Sequence, residues 1–283
     1  MPKLDEYIER VKHLPPAPTV AVQLLGLFND PDRDIDRIVE LISIDPSLTA
    51  ETLKRCNHGC DRGDEPASDM FEAVTRLGFY QVYCVVVALI GSRTMTLVRS
   101  NYTADATRLW EHSVTTAVTA SLLAARVQVL EATAFTAGLL HDVGKLILVS
   151  VEGVAYAQMV RDSGVFGSAM GAAEEQLLGF THAALGARLL ARWDLPEDVC
   201  LAVKFHHQSP AQAGASQRLA AVVNFANCLA HEIVDGAGGA PAAAEISPEA
   251  MELLELTPKE IPSVILQVNE ALGGVQDLMQ MKA

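Results

Sequence analysis

Leu4, Tyr7, Ile8 and Val11 fall at i, i+3, i+4 and i+7, with charged residues filling the positions between them. That spacing is one stripe of an amphipathic helix, and it limits the partners of the segment to other apolar helical faces. The pattern recurs at Val20, Leu24, Leu27 and Phe28, and again at Ile35, Ile38, Val39 and Ile42. Few segments alternate with the period of two that a half-buried strand needs. Half of the residues are hydrophobic but only 5 % are aromatic, which suits an Ala- and Leu-rich helical protein. We therefore expect an all-α fold, an N-terminal helical bundle on a second multi-helix domain, with a helical C-terminal tail.

The punctuation between stripes sets the expected boundaries. Pro15, Pro16 and Pro18 stop the first helix, and Asn29-Asp30-Pro31 marks a turn. Asp34 is a good N-cap for the third helix, and Asp45-Pro46 opens the fourth with proline where its missing N–H costs nothing. Residues 59–68 read as a loop, 70–77 as a helix and 79–98 as a long apolar helix. Its most apolar run, 82–90, is about half the length needed to span a bilayer, so it reads as buried core. Polar residues 100–105 mark the first domain boundary. The expected units are 1–100, 101–235, and a flexible linker with a helical tail over 236–283. The second unit should hold helices near 106–127, 132–149, 152–162, 168–178, 182–193, 197–206 and 217–234. Gly236-Ala237-Gly238-Gly239-Ala240-Pro241 is linker-like, and in the tail Thr257 and Glu260 fit a capping box.

Composition also restricts function. The formal net charge of −14 repels a phosphate polyanion, and no basic patch offsets it, which argues against nucleic-acid binding. The five cysteines form no secreted disulfide framework, and the first residues lack the apolar core of a signal peptide. A cytoplasmic location without membrane insertion is expected. Cys56-Asn57-His58-Gly59-Cys60 packs three potential ligands into five residues, but no second pair completes a four-ligand zinc site, so it does not read as one.

The chemistry gathers in the second unit. His141 and Asp142 stand side by side at the end of an apolar run, and His112, His182, His206 and His207 lie in the same unit. The gaps from 112 to 141, 142 to 182 and 182 to 206 are 29, 40 and 24 residues. No single helix can present these groups together, so any shared site must form where several helices converge. Imidazoles with one carboxylate suit iron, manganese, zinc or nickel, as one or two ions. Two ions about 3.5–4 Å apart, bridged by a carboxylate such as Asp142, would activate water and clamp a phosphate. Lys145 would then neutralise phosphate charge. The bland alternative is equally open on spacing alone. Isolated histidines are usually ordinary surface residues, and Gly144-Lys145 after an apolar run is a common helix C-terminal signal.

A resemblance narrows these readings. Leu14-Pro15-Pro16-Ala17-Pro18, Asn29-Asp30-Pro31, Ile44-Asp45-Pro46 and Arg76-Leu77-Gly78 resemble the N-terminal part of the HD-related output domain, HDOD. Leu109-Trp110-Glu111-His112-Ser113, the run from Ala137 to Lys145, Thr181-His182-Ala183-Ala184-Leu185-Gly186, Arg192-Trp193-Asp194-Leu195-Pro196 and His206-His207 continue the match over roughly residues 7–235. The resemblance implies a fold related to the HD and HD-GYP metal phosphohydrolases, used as a regulatory module in bacterial signalling, mostly without demonstrated catalysis. Its partners would be signalling proteins, with a small phosphorylated ligand as an alternative. No receiver or DNA-binding segment is recognised in the chain, so its input is expected from elsewhere or from a ligand.

Two departures bear on activity. The closing ligand of HD domains is an aspartate in the helix after the His-His pair, whereas this chain has Ala226-Asn227-Cys228, so Asn227 would be a weak ligand without charge. The segment after His207 also lacks the Gly-Tyr-Pro of cyclic-di-GMP phosphodiesterases. A regulatory role is the expectation, and a phosphohydrolase acting on a nucleotide or cyclic dinucleotide is the alternative.

Overall fold

The computed structural model describes residues 2–11, 19–28, 34–58, 67–98, 105–153, 156, 158, 168–235 and 246–274. Among them the secondary structure is entirely helical. The chain divides into two compact units, Pro16–Gly91 and Met1–Pro15 with Ser92–Ala283. The readings at Pro15–18, 29–31, 59–66, 100–104 and 236–241 lie outside the described residues, as does most of the helix expected over 152–162.

The smaller unit contains α2 (Thr19–Phe28), α3 (Ile35–Ser43), α4 (Pro46–His58), α5 (Met70–Leu77) and most of α6 (Phe79–Val98). Its helix starts follow the sequence reading. The Asp34 carboxylate accepts the Asp36 N–H at 2.9 Å, and Asp45 accepts the N–H groups of Ser47 and Leu48 at 2.8 and 3.2 Å. Ile38, Leu41 and Ile42 turn inward, and residues 82–88 of α6 are all buried. Cys56 packs in an apolar cluster with Ala67 and Ala73, and Asn57 next to it accepts the Ala67 N–H at 2.6 Å. Cys60, the other thiol of that five-residue run, lies outside the described residues.

The larger unit contains α1 (Pro2–Arg10), α7 (Asp105–Ala124), α8 (Glu131–Leu140), α9 (Val143–Glu152), α10 (Ser168–Leu178), α11 (His182–Arg192), α12 (Glu197–Phe205), α13 (Gln217–Asp235), α14 (Pro248–Leu253) and α15 (Ile261–Gly274). Helices α7, α8 and α13 pack together, α12 lies against α8, α11 and α13, and α9 lies against α11. The charged N-terminal helix α1 docks on α9 and α11. Arg188 grips Asp5 with two hydrogen bonds of 2.8 and 3.0 Å, and Tyr7 meets Phe180 edge-on at 4.8 Å. The tail also joins this core, because α14 packs on α13 and α15 on α7. Among the described residues one stretch, Glu131–Glu152, is long and apolar enough to cross a membrane, and 83 % of it is buried inside the protein.

Two details differ from the sequence reading. The stretch read as one helix over 132–149 is α8 and α9, broken at His141-Asp142, where Asp142 takes φ −99° and ψ 9°. The Gly138 carbonyl, which an unbroken helix would present to residue 142, receives the His141 Nδ1–H at 2.7 Å. In the tail, Glu260 accepts the Thr257 N–H at 2.9 Å, one half of a capping box, but the Thr257 hydroxyl donates to the same carboxylate at 2.8 Å and α15 starts only at Ile261.

Candidate metal centre

Five segments of the larger unit bring the predicted residues to one place. His112 comes from α7, His141 and Asp142 from the α8–α9 break, His182 from the first position of α11, His206 and His207 from the end of α12, and Asn227 from α13. The break serves the site directly. It releases Asp142 from the helix so that its carboxylate faces imidazoles from four segments.

The approach of those segments depends on two glycines. A Cβ at Gly138 would lie 2.8 Å from the Ala117 Cα, so α8 can reach α7 only with glycine there. At Gly144 a Cβ would lie 2.0 Å from the His182 carbonyl oxygen and 2.8 Å from the Gly186 nitrogen. Gly144-Lys145 is therefore not a helix end. It opens α9 and lets His182 close on Asp142.

Asp142 is the centre of the cluster. Its Oδ2 faces His141 Nε2 at 3.3 Å, His112 Nε2 at 3.8 Å and the Lys145 ammonium at 2.7 Å. Its Oδ1 faces His182 Nε2 at 3.3 Å and His206 Nε2 at 3.7 Å. His207 Nε2 stands 3.2 Å from His182 Nε2, and His112 Nε2 lies 3.2 Å from His141 Nε2 and 2.9 Å from Asn227 Oδ1. The donor atoms fall into two groups that share Asp142, each within 4.8 Å: Asp142, His182, His206 and His207, and His112, His141 and Asp142.

Three of the imidazoles have their outer nitrogen fixed. His141 Nδ1 donates to the Gly138 carbonyl at 2.7 Å, His206 Nδ1 to the Val203 carbonyl at 2.6 Å, and His182 Nδ1 to Glu174 at 2.7 Å. Each bond holds the proton on Nδ1 and turns the Nε2 lone pair into the cluster, the arrangement by which an acceptor behind the ring prepares histidine for a metal. Burial holds His112, His206 and His207 well below the usual imidazole pKa, with neighbouring imidazoles adding to the effect. They are neutral, as ligands must be. Burial alone would raise the Asp142 carboxyl, but His141 and Lys145 beside it hold it well below its usual range.

Glu174 and His231 are contributors that the sequence reading missed. Glu174, on α10, is completely buried and accepts the His182 Nδ1–H, the His182 backbone N–H at 2.7 Å and the Tyr156 hydroxyl at 2.6 Å. Burial is the largest influence on the His182 ring and disfavours its charged form, but Glu174 and Asp142 together offset it, and the His182 pKa ends above the usual value. His231, one turn beyond Asn227 on α13, lays its ring 4.2 Å from that of His112, centroid to centroid.

Buried atoms without a partner show what the cluster fits. Asp142 Oδ1 and His206 Nε2 are buried and make no hydrogen bond. Leaving such groups unsatisfied costs about 1–3 kcal/mol each, and both face the same space as His182 and His207. A carboxylate and imidazoles in that arrangement are the donor set of a divalent transition metal. The opening lies at His207, which borders a cavity of about 390 Å³ shared with Thr181, Lys204 and Gln208. His112, His141, Asp142, His182 and His206 are all buried.

An all-α unit built around a histidine–aspartate cluster at a helix break defines the class. The HDOD domain matches residues 14–209. The chain belongs to the HDOD family. It is similar in structure to an HDOD domain protein of unknown function from Geobacter sulfurreducens, 25 % identical with a TM-score of 0.70 over 98 % of this chain and 95 % of that one. A candidate phosphohydrolase from Shewanella amazonensis shares the fold at 22 % identity and a TM-score of 0.72, covering 98 % of each chain. In sequence the chain is 26 % identical to an uncharacterised protein of Treponema pallidum over 77 % of its own length, and 24 % identical to the Ribonuclease Y of Lawsonia intracellularis over 69 %. It spans 42 % and 30 % of the lengths of those two relatives.

Proposed function

We propose that this HDOD protein is a regulatory module of bacterial signalling that acts through protein or ligand binding, with a divalent metal ion held in its histidine–aspartate cluster and no hydrolytic turnover. One contact carries this reading, the 2.9 Å bond between His112 and Asn227. At the position where a charged ligand would complete a second metal site, a neutral amide is tied to the neighbouring histidine. The burial of the ligands and the Lys145–Asp142 pair support the same reading, because the Asp142 oxygen nearest Lys145 is already neutralised. Asp142, His182, His206 and His207 would hold the ion, which when bound supplies Lewis acidity and an acidified water. The net charge of −14 disfavours RNA as a partner, whatever the similarity to Ribonuclease Y.

The alternative is a metal-dependent phosphohydrolase. It is favoured by the opening at His207 onto a cavity bearing Lys204, a suitable approach for a small phosphorylated ligand.

Protein purified anaerobically without chelator tests both. Metal content by plasma mass spectrometry is expected to be stoichiometric, and bis-p-nitrophenyl phosphate and cyclic dinucleotides are expected to turn over no faster than with Asp142→Ala, whose folding is checked by thermal melting. Turnover that Asp142→Ala abolishes replaces the regulatory reading with the hydrolase. Absence of metal from the wild type removes the metal from both.

A further inference from the structure

Resting on the metal-binding reading, the geometry points to a single-ion centre: the chain binds one divalent ion between Asp142 Oδ1, His182, His206 and His207, while His112, His141 and Asn227 stay joined to each other by hydrogen bonds.

The two halves of the cluster differ in preparation. In the first, His182 and His206 have Nδ1 fixed by Glu174 and the Val203 carbonyl, and their Nε2 atoms face Asp142 Oδ1. Asp142 Oδ1 and His206 Nε2 lack partners. An ion there would satisfy both and displace one bond, the 3.2 Å contact of His207 Nε2 with His182 Nε2, with the His207 proton moving to Nδ1 of a ring that borders the cavity.

In the second half the inward atoms already satisfy one another. His141 Nδ1 donates to Gly138, so its Nε2 can only accept, and Asn227 Oδ1 also accepts. A proton on His112 Nε2 serves both, at 3.2 and 2.9 Å. Rotating the Asn227 amide by half a turn would present its NH₂ group to the same nitrogen, so His112 Nε2 is engaged in either orientation. To ligate, His112 would have to carry its proton on Nδ1, which is buried with no hydrogen-bond acceptor. Charge acts in the same direction. Lys145 sits 2.7 Å from Asp142 Oδ2, the oxygen a second ion would need, and Asn227 adds no negative charge to offset two cations.

Manganese reconstitution of the full chain tests this. Wild type and His112→Gln are expected to retain one Mn²⁺ each with the spin-resonance signal of an isolated ion. His206→Gln and His207→Gln are expected to lose it, and Asn227→Asp to take up a second, with the signal of a coupled pair. Thermal melts identify any variant that fails to fold, and the two histidine substitutions in the binding half back each other up. Two ions in the wild type overturn the single-ion centre and leave the metal-binding reading standing. So does one ion that survives His206→Gln and His207→Gln but not His112→Gln. One ion in Asn227→Asp removes the part assigned to Asn227 and overturns the inference. No ion in the wild type overturns the metal-binding reading and this inference with it.

Discussion

The Glu174 carboxylate accepts both the ring Nδ1–H and the backbone N–H of His182, each at 2.7 Å, and so fixes the imidazole and the first residue of α11 together. Replacing Glu174 with glutamine keeps the size but substitutes a neutral, weaker acceptor. Metal affinity is expected to fall about 10–100-fold, read by competition with a chelating dye, while Gln176→Ala, at an exposed position of the same helix away from the cavity, leaves it unchanged. Equal affinity in the two variants would show that the carboxylate does not prepare His182.

Gly144→Ala places a methyl group 2.0 Å from a backbone oxygen that has no flexible side chain to yield. The expected cost is about 3 kcal/mol, measured by urea unfolding, together with loss of bound metal as α11 is pushed from α9. Gly26→Ala on α2 is the control. Nothing lies within 4 Å of its added Cβ, and the helix should gain about 0.5–1 kcal/mol.

Lys145→Met removes the ammonium that pairs with buried Asp142. Stripping one partner from a buried ion pair costs about 3–5 kcal/mol, and the expected destabilisation in EDTA is of that order. Excess Mn²⁺ should recover part of it, because the ion supplies positive charge to the same carboxylate. Identical losses with and without metal would show that the ion does not reach Asp142.

The docking of α1 should depend on acid. The hydrogen bonds from Arg188 hold the Asp5 carboxyl below its usual value of 3.8. A carboxyl lowered by folding contributes stability that is present above the unfolded pKa and lost as pH falls through the folded one. The protection factors of the α1 amides, taken against the pH-dependent intrinsic exchange rates, should therefore be constant above about pH 4 and fall below it. Asp5→Asn should exchange faster at neutral pH with a flatter acid dependence.

Much of this was legible in the residues. The apolar stripes and the capping aspartates Asp34 and Asp45 are local signals, and local signals survive folding. The separation of the histidines required several helices to converge, which is how the structure assembles them. Glu174 gave no such signal. It stands between Ala173 and the exposed Glu175, eight residues before His182, and no periodicity separates a buried glutamate from its solvated neighbour. The break at Asp142 was also invisible, because the mostly apolar run from Ala132 to Val149 continues on both sides of it, and the competition of the His141 ring for the Gly138 carbonyl depends on a side-chain rotamer.

The amide of Asn224 donates to the His206 carbonyl at 2.9 Å and accepts the Ser247 N–H at 3.1 Å. The family match stops at residue 209. Yet Ser247 belongs to the tail, Ile246 and Ala250 are buried with it, and Arg126 reaches the Leu254 carbonyl at 3.4 Å. Homology and physics therefore draw the end of this module in different places. A chain cut at Asp235 would retain every histidine of the cluster but strip the cover from α13 and one of the bonds that fix the turn carrying His206 and His207.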